Sequence, residues 1–373
     1  MFQLLRLVLV ALTVGLYATP SSAQLFKLNV VNYGGCNASS TAECLAFKSL
    51  VDSEIAVVEA DINKGLPGGS PDRFMKGMAN SSVMAGKGIG SDYSSYMDVF
   101  LIGAGVGVGA DMEKSKDPDS DLSGIGIAPG LVVGLNLGVL PVNKIFGLEA
   151  NRLSVYANFM SFSKDQEFDK SSAGIDMTAI GTHVRYDWIR PKGNKFFGWG
   201  GVKLHTGYEY NKTDLNFKTT INETISQTSN AGNPTETTIS GDLDAAPEAT
   251  INVATHSIPL EISTDVRFLY VFSLYSGLGM DFNFGEAKGG GSLNASPSQI
   301  SCDGGTGCNT AGNPDATVQA KANIDSTGKV NSMLYRGFVG VQFNIPLVRV
   351  FVQADKAFGN DLIGATAGLR IAY

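Results

Sequence analysis

Charged residues are scarce in this sequence, and long apolar runs are missing. Aspartate, glutamate, lysine and arginine together make up 17% of the 373 residues, whereas soluble domains typically carry about 25%. Beyond the first 23 residues, no uninterrupted apolar stretch reaches the roughly 18 residues that a membrane-spanning helix needs. The net charge of −7 also lacks the basic excess of a nucleic-acid-binding protein. A helical membrane protein, a nucleic-acid binder and a soluble enzyme of ordinary composition are therefore disfavoured.

Cysteine is limited to four residues, which fall into two local pairs. Cys36 and Cys44 form the first pair, and Cys302 and Cys308 form the second. Four cysteines allow three connectivities, and we predict two local disulfides because the members of each pair are close in the chain and disulfides persist in exported proteins. A zinc site is the alternative, but neither pair has a C-x₂-C spacing or a nearby histidine.

The first 23 residues have the features of a secretory signal peptide. Arg6 supplies the positive charge, an apolar run extends from Leu7 to Ala18, and Ser21-Ser22-Ala23 is a small-residue cleavage site. The run is too short to span a bilayer, so we expect export and a mature chain that starts at Gln24. An exported protein without a spanning helix is either soluble or a closed β-barrel.

Residues 24–96 form a predicted helical segment, periplasmic or inserted into a lumen. Ser40 and Glu43 have the spacing of a capping box, and apolar residues then recur every three or four positions, which predicts an amphipathic helix over 41–64. The apolar seam of this helix consists of Cys44, Phe47, Val51, Ile55, Val58 and Ile62. A second, weaker helical pattern follows Pro71, and the glycine-rich stretch 86–90 is predicted to be a flexible connection.

From residue 97 onward the hydrophobic period changes to two, which is typical of β-strands. Most of the segments concerned have one apolar and one polar face. The ten candidate strands lie near 97–111, 122–139, 148–162, 173–190, 198–217, 251–269, 272–286, 331–345, 347–357 and 361–373. We therefore predict an all-β antiparallel transmembrane barrel of about ten strands over residues 97–373, with eight or twelve as alternatives.

The connections between these strands are sorted by length. Short turns, such as 191–195, alternate with polar or very long connections, of which 218–250 and 287–330 are the longest. Outer-membrane barrels have short periplasmic turns and longer outer loops, whereas a secreted β-sandwich has no reason to sort its loops in this way. Aromatic residues near the strand ends also suit the interfacial girdles of such barrels.

The chain resembles the bacterial outer-membrane β-barrels of the porin-like class. The resemblance covers residues 97–373 and includes the signal peptide, the sorted loops and a final strand that closes on the aromatic residue Tyr373. With its helical segment before the barrel, the chain also resembles the porin-like major outer-membrane proteins of predatory bacteria. The resemblance implies residence in the bacterial outer membrane, with membrane lipid and lipopolysaccharide as neighbours.

Glycine recurs on one face of the first two strands, at positions two or four residues apart. The glycines are Gly103, Gly105, Gly107, Gly109, Gly124, Gly126, Gly130, Gly134 and Gly138. A dinucleotide-binding loop would require a helix directly afterwards, but the charged stretch 111–121 follows instead. Glycine in a strand often marks the close approach of another backbone. We therefore expect an apolar group to cover this glycine stripe. The opposite face of the two strands is apolar as well, so we expect it to be covered too.

Polar side chains are predicted to cluster inside the barrel. The members of this lumenal polar cluster are His183, Arg185, Asp187, Lys203, His205, Glu209 and Arg267. They share strand faces that a short turn brings together, and they would fill the lumen with salt bridges or serve ion and solute passage. We find no nucleophilic triad, no catalytic residue and no metal or cofactor site, so we predict that the protein is not an enzyme.

Two functions remain open at this point. The first is a porin-like barrel with a structural or passive-transport role, and the second is a barrel whose long loops bind a partner or a host or prey surface. We expect a homo-oligomer in which the helix seams bundle around a symmetry axis and whose interior can enclose lipid. The alternative is that the helical segment plugs its own barrel against the glycine stripe.

Overall fold

The computed structural model describes most of the barrel and parts of the N-terminal region. The described residues are 29–33, 49, 52, 71–94, 97, 99–112, 123–168, 171–194, 196–229, 237–269, 271–303, 318–345 and 347–373. Within these ranges, no helix is both long enough and apolar enough to cross a membrane. The signal peptide, Cys36, Cys44, Cys308 and the predicted seam from Phe47 to Ile62 lie outside the described residues.

Ten antiparallel strands form a closed ring. They are β1 (Phe100–Asp111), β2 (Gly124–Asn136), β3 (Leu153–Phe168), β4 (Ser171–Ile189), β5 (Phe197–Thr219), β6 (Thr237–Phe268), β7 (Phe272–Asp303), β8 (Met333–Ile345), β9 (Val348–Phe358) and β10 (Leu362–Ala372). Each strand pairs with the next along the chain, and β10 pairs with β1. The predicted ten-strand barrel is confirmed.

The closing seam joins the last strand to the first without an irregularity. Leu362 pairs with Asp111 at one end of the seam, and Ala372 pairs with Leu101 at the other. The N–H groups of Val99 and Phe100 donate to the carbonyl oxygen of Tyr373, at 2.7 and 3.0 Å. Closure satisfies the backbone hydrogen-bonding groups between the strands, which a lipid environment requires.

The two ends of the barrel differ. One end is called the short-turn end, because brief connections there join β4 to β5, β6 to β7 and β8 to β9. The first residue of β1, Phe100, and the last residue of β10, Ala372, also lie at this end. At the other end, named here the long-strand end, β6 and β7 continue far beyond their neighbours. Each of these two strands has 32 residues, or about 100 Å at roughly 3.3 Å per residue, although 9–11 residues suffice to cross a bilayer.

The extensions of β6 and β7 are the centre of a five-stranded β-arm. The other three strands of the β-arm are Ile221–Ser229, Val318–Lys329 and Asn29–Tyr33. The prediction of loops over 218–250 and 287–330 is therefore wrong for most of both regions. These stretches are rich in serine, threonine, asparagine and glycine and lie beyond the rim, so they lack the apolar alternation by which lipid-facing strands are recognised.

The outer face of the barrel is apolar over its middle height. Ile102, Leu131, Val133, Leu278 and Val352 are each more than half exposed. Soluble monomers rarely expose apolar area on this scale. This exterior, together with the closed ring, is that of an outer-membrane β-barrel, the class expected from the sequence.

The lumen is filled by the chain segment that precedes β1. Its first part is the helix α1 (Pro71–Ala85), which has proline at its first position and ends just before Gly86, as helix start and stop preferences favour. Its second part, named here the strap, comprises residues 86–97, of which 86–94 and 97 are described. Met84, Ala85 and Ile89 are almost completely buried.

The glycine stripe is the surface on which α1 packs. A Cβ atom on Gly107 would overlap the carbonyl oxygen of Ala85, and one on Gly109 would overlap that of Ser81. Gly124 lies equally close to the backbone of Gly77. The expected close approach at the stripe is thus supplied from within the same chain, by helix backbone rather than by a bulky side chain.

The N-terminal segment approaches the lumen from the long-strand end. Asn29–Tyr33 pairs with the strand residues Val318–Lys321 in the β-arm, and Asp72 at the start of α1 accepts hydrogen bonds from Ser326 and Thr327. At the opposite end, the side-chain amide of Asn136 donates to the carbonyl oxygen of Met97 at 2.9 Å. The predicted helix 41–64 is described only at Ser49 and Asp52, both helical.

Candidate functional site

The lumen of the barrel contains the strap and a dense set of charged side chains. The strap carries two charged residues among those described, Lys87 and Asp92, and both side chains are fully buried. Gly88, between them, has a φ of +81°, a conformation that favours glycine. The fold therefore places one cation and one anion of the strap at different heights inside the barrel.

Lys87 lies among carboxylates. Its Nζ donates to Glu209 Oε2 and to Ser257 Oγ, both at 2.7 Å, and lies 3.5 Å from Asp281 Oδ1. Glu209 and Asp281 project inward from β5 and β7 respectively, and both are buried. A buried lysine needs such partners, because an unpaired charge in the interior is costly.

Arg336 on β8 is the second cation at this height. Its Nε donates to Asp281 at 2.9 Å, its Nη1 donates to Asp355 at 2.7 Å, and its Nη2 donates to Glu261. All four side chains are buried. Lys87 and Arg336 are thus surrounded by four carboxylates, and this acidic layer comprises Glu209, Glu261, Asp281 and Asp355.

Asp92 lies nearer the short-turn end, among cations. Its carboxylate is 3.3 Å from Arg349 and 3.6 Å from Arg370, and its carbonyl oxygen accepts a hydrogen bond of 2.8 Å from Arg185. Arg185 also lies 3.3 Å from Asp187 on its own strand. The carboxylate of Asp92 is thus shared by two cations.

The same sharing recurs next to Asp92. Asp265 on β6 is paired with Lys203 and lies 3.4 Å from the Nε of Arg267. At the rim, Glu149 is paired with Arg152 at 3.1 Å and with Arg190. Each of these carboxylates has two cationic partners. We call this region the basic layer; its cations are Arg152, Arg185, Arg190, Lys203, Arg267, Arg349 and Arg370.

Glu149 is the one carboxylate of the basic layer that lies in a turn outside the spanning strands. Partial desolvation alone would raise its pKa, but the guanidinium groups of Arg152 and Arg190 outweigh it and hold the pKa below its ordinary value. The carboxylate therefore stays ionised and keeps both arginines in place at physiological pH.

Side chains of the barrel wall also donate hydrogen bonds to the carbonyl oxygens of the strap. Arg370 donates to the carbonyl oxygens of Gly88 and Ser91, at 3.0 and 2.6 Å, and Thr366 donates to that of Lys87 at 2.6 Å. Non-helical backbone inside a membrane barrel needs such donors, because no lipid group can replace them. These contacts fix the path of the strap along β10.

Tyr93 connects the strap to both layers. Its hydroxyl donates to Glu261 at 2.8 Å, and its carbonyl oxygen accepts a hydrogen bond of 2.5 Å from Lys203. Its ring packs against Tyr275 and Phe338, with centroids 5.6 and 4.7 Å away. The middle of the strap is thereby held by hydrogen bonds and by ring contacts at once.

All seven residues of the predicted lumenal polar cluster are described. Six are buried, with 5% exposure or less, and Arg267 is partly exposed at the short-turn end. His183 lies 3.2 Å from Asn158, and His205 lies 3.2 Å from Ser263. The third histidine, His256, is instead on the outside, where its ring accepts or donates a hydrogen bond of 2.6 Å with Tyr208.

The predicted cluster omits many of the lumenal charges. Lys87 lies in the stretch 86–90 that was predicted to be a flexible connection, and Asp92, Glu261, Asp281 and Asp355 were not among the predicted site residues. The signal that could have found the three carboxylates on the strands is their inward parity, because each shares the alternating face with buried neighbours on its strand. No comparable pattern marks the two strap residues.

Two cavities open at the ends of the barrel. One of about 630 Å³ lies at the long-strand end beside the start of α1 and is lined by Asp72, Arg73, Lys76 and residues 327–332. The other, of about 380 Å³, lies at the short-turn end and is lined by Asn151, Arg152, Asp187, Arg190, Pro191 and Arg267. The strap occupies the lumen between the two ends.

A family comparison covers the whole barrel and most of the segment before it. The model of the Lsa36-like family matches residues 34–373. The chain belongs to the Lsa36-like family. The match therefore includes α1 and the strap as well as all ten barrel strands. No curated protein sequence matches the chain.

Several solved outer-membrane structures are similar to this member of the Lsa36-like family. The translocator domain of the autotransporter NalP from Neisseria meningitidis has a TM-score of 0.28 at 7% identity, covering 74% of this chain and 88% of that one. Ail, the attachment invasion locus protein of Yersinia pestis, has a TM-score of 0.24 at 9% identity, covering 74% and 99%. Acinetobacter baumannii CarO has a TM-score of 0.25 at 11% identity, covering 73% and 97%. The strand pairing of this chain itself closes the barrel.

Proposed function

We propose that this protein is a non-enzymatic outer-membrane barrel with a mainly structural role, closed by its own N-terminal segment. The observation that carries the proposal is the match between the strap and the wall. Lys87 lies in the acidic layer and Asp92 in the basic layer, so the strap is bound in one register. An open passage for solutes would require the strap to leave both layers.

The exterior supports placement in the outer membrane. Its apolar middle suits lipid, and the exposed aromatic residues Trp188, Phe197 and Phe268 lie near the short-turn end, where interfacial girdles occur. Because such barrels have short turns on the periplasmic side, we propose that the short-turn end faces the periplasm. The β-arm then extends outward from the cell surface.

Channel recordings test the closed-lumen proposal. The purified barrel, inserted into a planar bilayer, is expected to give no regular conductance steps. A variant with residues 86–94 replaced by a shorter glycine-serine linker is expected to give steps, because the strap no longer fills the lumen. Regular steps from the wild type that do not increase in the linker variant would show that the strap does not close the barrel and would favour the porin-like transport role.

The β-arm favours a second candidate function. It gathers five strands beyond the rim, far more than the barrel needs to cross a membrane. A projecting sheet with an exposed edge can add a strand from another protein, so the arm is suited to binding a partner or a host or prey surface. Cells that carry the wild type should then bind that surface better than cells in which 221–247 and 294–329 are replaced by short linkers, with equal barrel levels on gels.

Homo-oligomerisation, with lipid enclosed between subunits, remains part of the proposal. The support is the apolar exterior, which neighbouring subunits or lipid can cover, and the predicted seam of the helix 41–64. Native mass measurement on the gently extracted protein tests it, with Val51→Asp combined with Ile55→Asp as the disrupting variant. A monomeric wild type contradicts the oligomer. An oligomer that persists in the double variant shows that the seam does not form the interface.

A further inference from the structure

The seam between β2 and β3 is closed over only part of its length. The two strands pair over six residues each, and Leu131 with Phe159 is the last pair toward the long-strand end. Beyond it, within the part of the chain that the structure describes, residues 124–130 of β2 pair only with β1. Residues 160–168 of β3 likewise pair only with β4. We call the space between these two stretches the side slot.

The sequence explains why the pairing stops at this point. Pro129 lacks a backbone N–H group, and proline within sheets is confined to edge positions and bulges. If the register continued past Leu131, Ile125 would lie opposite Asp165 on the outward face. An apolar and a charged side chain in that position supply neither the packing nor the charge pairing that stabilises neighbouring strands. The side slot is therefore encoded in both of its edges.

The faces of β3 are reversed along the side slot. Below the slot, toward the short-turn end, Phe159 faces outward and is 55% exposed. Past it, the inward positions hold Met160 and Phe162, whereas the outward positions hold Ser161 and Ser163. In this stretch the wall is thus apolar on its inner side and polar on its outer side.

The inner side of the slot has an apolar surface that the chain leaves uncovered. Phe162 is 42% exposed although it lies on the inward face, whereas Tyr156 on the same face of β3 is 3% exposed. Met177 lies opposite Phe162 on β4 and continues the apolar surface. The helix α1 packs on the glycine stripe of β1 and β2 instead. An apolar ligand that enters through the slot therefore finds an open surface on β3.

A cation lies at the outer end of this apolar surface. Lys164 follows Phe162 by two positions, so the alternation of a strand places both on one face, and Lys164 is exposed. It forms no ion pair with any carboxylate that the structure describes. Other lysines toward the long-strand end are paired at 2.6 to 2.8 Å, namely Lys212 with Asp214, Lys218 with Glu248 and Lys288 with Glu286. The charge of Lys164 is thus available to an anion from outside the chain.

The side slot lies at the boundary of the hydrocarbon layer. Leu131 and Phe159, which close its lower end, are more than half exposed and face lipid. Toward the long-strand end, the outward positions Ser161 and Ser163 on β3 and Asp176 on β4 are polar and exposed. Open backbone groups are costly in hydrocarbon, but at this boundary water and polar head groups can bond them. The slot thus offers a polar outer end and an apolar inner surface.

We propose that the side slot binds a free long-chain fatty acid from the membrane. The acyl chain lies against Met160 and Phe162, and the carboxylate binds Lys164 at the outer end. Chain and head group then follow each other in the order in which the apolar residues and the cation follow each other along β3. A lipid with several chains would leave the others outside the slot, so a single chain is the better fit.

Photo-cross-linking of the full-length barrel in lipid nanodiscs tests where the chain binds, with a palmitate that carries a diazirine on its chain as the probe. Saturable labelling is expected on the tryptic peptide 153–164, which contains Met160 and Phe162. Phe162→Ser should weaken the apparent affinity about tenfold, through the loss of apolar contact. Phe159→Ser is the matched control, because it makes the same change on the outward face, and it should bind as the wild type does.

The head group is tested on Lys164. Lys164→Gln should weaken palmitate binding about tenfold, as expected for the loss of a charge-assisted hydrogen bond; the labelled peptide then extends to Lys170. Lys212→Gln is the control, because Lys212 is already paired with Asp214, and it should leave binding unchanged. Methyl palmitate, which has no carboxylate, should compete about tenfold less well than palmitate. Equal competition by the two would overturn the assignment of the carboxylate to Lys164.

Three further results would contradict the proposal. The first is a wild type that is folded, as shown by heat-modifiable gel migration, but is not labelled saturably. The second is labelling that Phe159→Ser removes and Phe162→Ser does not, which would place the probe on the outer surface. The third is equal, saturable labelling of 153–164 by a photoreactive phosphatidylglycerol, which would assign the slot to membrane lipid. None of these results depends on whether the lumen conducts.

Discussion

The Nζ of Lys87 on the strap donates to the carboxylate of Glu209 on β5 across 2.7 Å, and both side chains are buried inside the barrel. The two residues are 122 positions apart in the chain. Their contact joins the segment before the first strand to the middle of the barrel wall. Because breaking a buried ion pair is costly, the contact makes a closed lumen part of the folded state.

Reversal of the strap cation should release the strap. Lys87→Glu places a fifth carboxylate in the acidic layer, and removing one partner of a buried ion pair typically costs about 3–5 kcal/mol. We expect the variant to lose its fast gel migration at a lower temperature than the wild type and to conduct in planar bilayers. Lys192→Glu, the same change at an exposed position, should do neither. Unchanged heat resistance in Lys87→Glu would show that the side chain of Lys87 does not lie in the barrel interior.

Reversal of two charges together tests the layered arrangement. Lys87→Glu combined with Glu209→Lys restores an opposite pair at the same site, so it should recover part of the heat resistance that Lys87→Glu alone loses. The interaction free energy from the double-mutant cycle is expected to be about 1–3 kcal/mol, as for contacting charged residues. Simple additivity of the two changes would show that the two side chains do not meet.

A side chain on the glycine stripe should displace α1. In Gly109→Val, the new Cβ would overlap the carbonyl oxygen of Ser81, and the backbone of the helix cannot yield without leaving the wall. The temperature at which the folded band disappears should fall. Ala104→Val is the control, because Ala104 is exposed on the outward face of the same strand. Equal stability of the two variants would show that no helix packs on the stripe.

The strand Asn29–Tyr33 should be accessible from outside the cell. It pairs with Val318–Lys321 in the β-arm, beyond the end opposite the short turns. An epitope tag inserted directly before Asn29 should be labelled by antibody on intact cells, whereas a tag inserted beside the fully exposed Phe146 in a short turn should be labelled only after permeabilisation. Labelling of the Phe146 tag on intact cells would reverse the proposed orientation.

The sequence predicted the ten strands because lipid enforces a regular pattern. Leu260 and Ile262 face outward, with Glu261 between them facing inward, and this alternation shows directly in the residues. The same rule could not reveal the β-arm, since Thr237 to Ala249 pair with neighbours outside the lipid layer and need no apolar face. Strands there depend on partners that are distant in the chain.

The strap could not be predicted for a different reason. Its path depends on Arg370, Thr366 and Lys203, which bind its carbonyl oxygens, and no local pattern in residues 86–97 encodes those contacts. The glycine stripe did indicate that a backbone would approach β1 and β2. It could not specify whether that backbone belonged to this chain or to a neighbour, because glycine accommodates either equally.

A disulfide between α1 and the wall tests most directly whether the N-terminal segment fills its own barrel. The hydroxyl oxygens of Ser82 and Thr255 lie 3.3 Å apart inside the barrel, so cysteines substituted at both positions bring their sulfur atoms close together. Ser82→Cys combined with Thr255→Cys is expected to cross-link within one chain in the outer membrane, as shown by the mass of the joined tryptic peptides. Ser82→Cys combined with Thr264→Cys, which lies farther along β6 at the short-turn end, should not cross-link. Absence of the first bond, or its formation only between two chains, would show that α1 does not fill its own barrel.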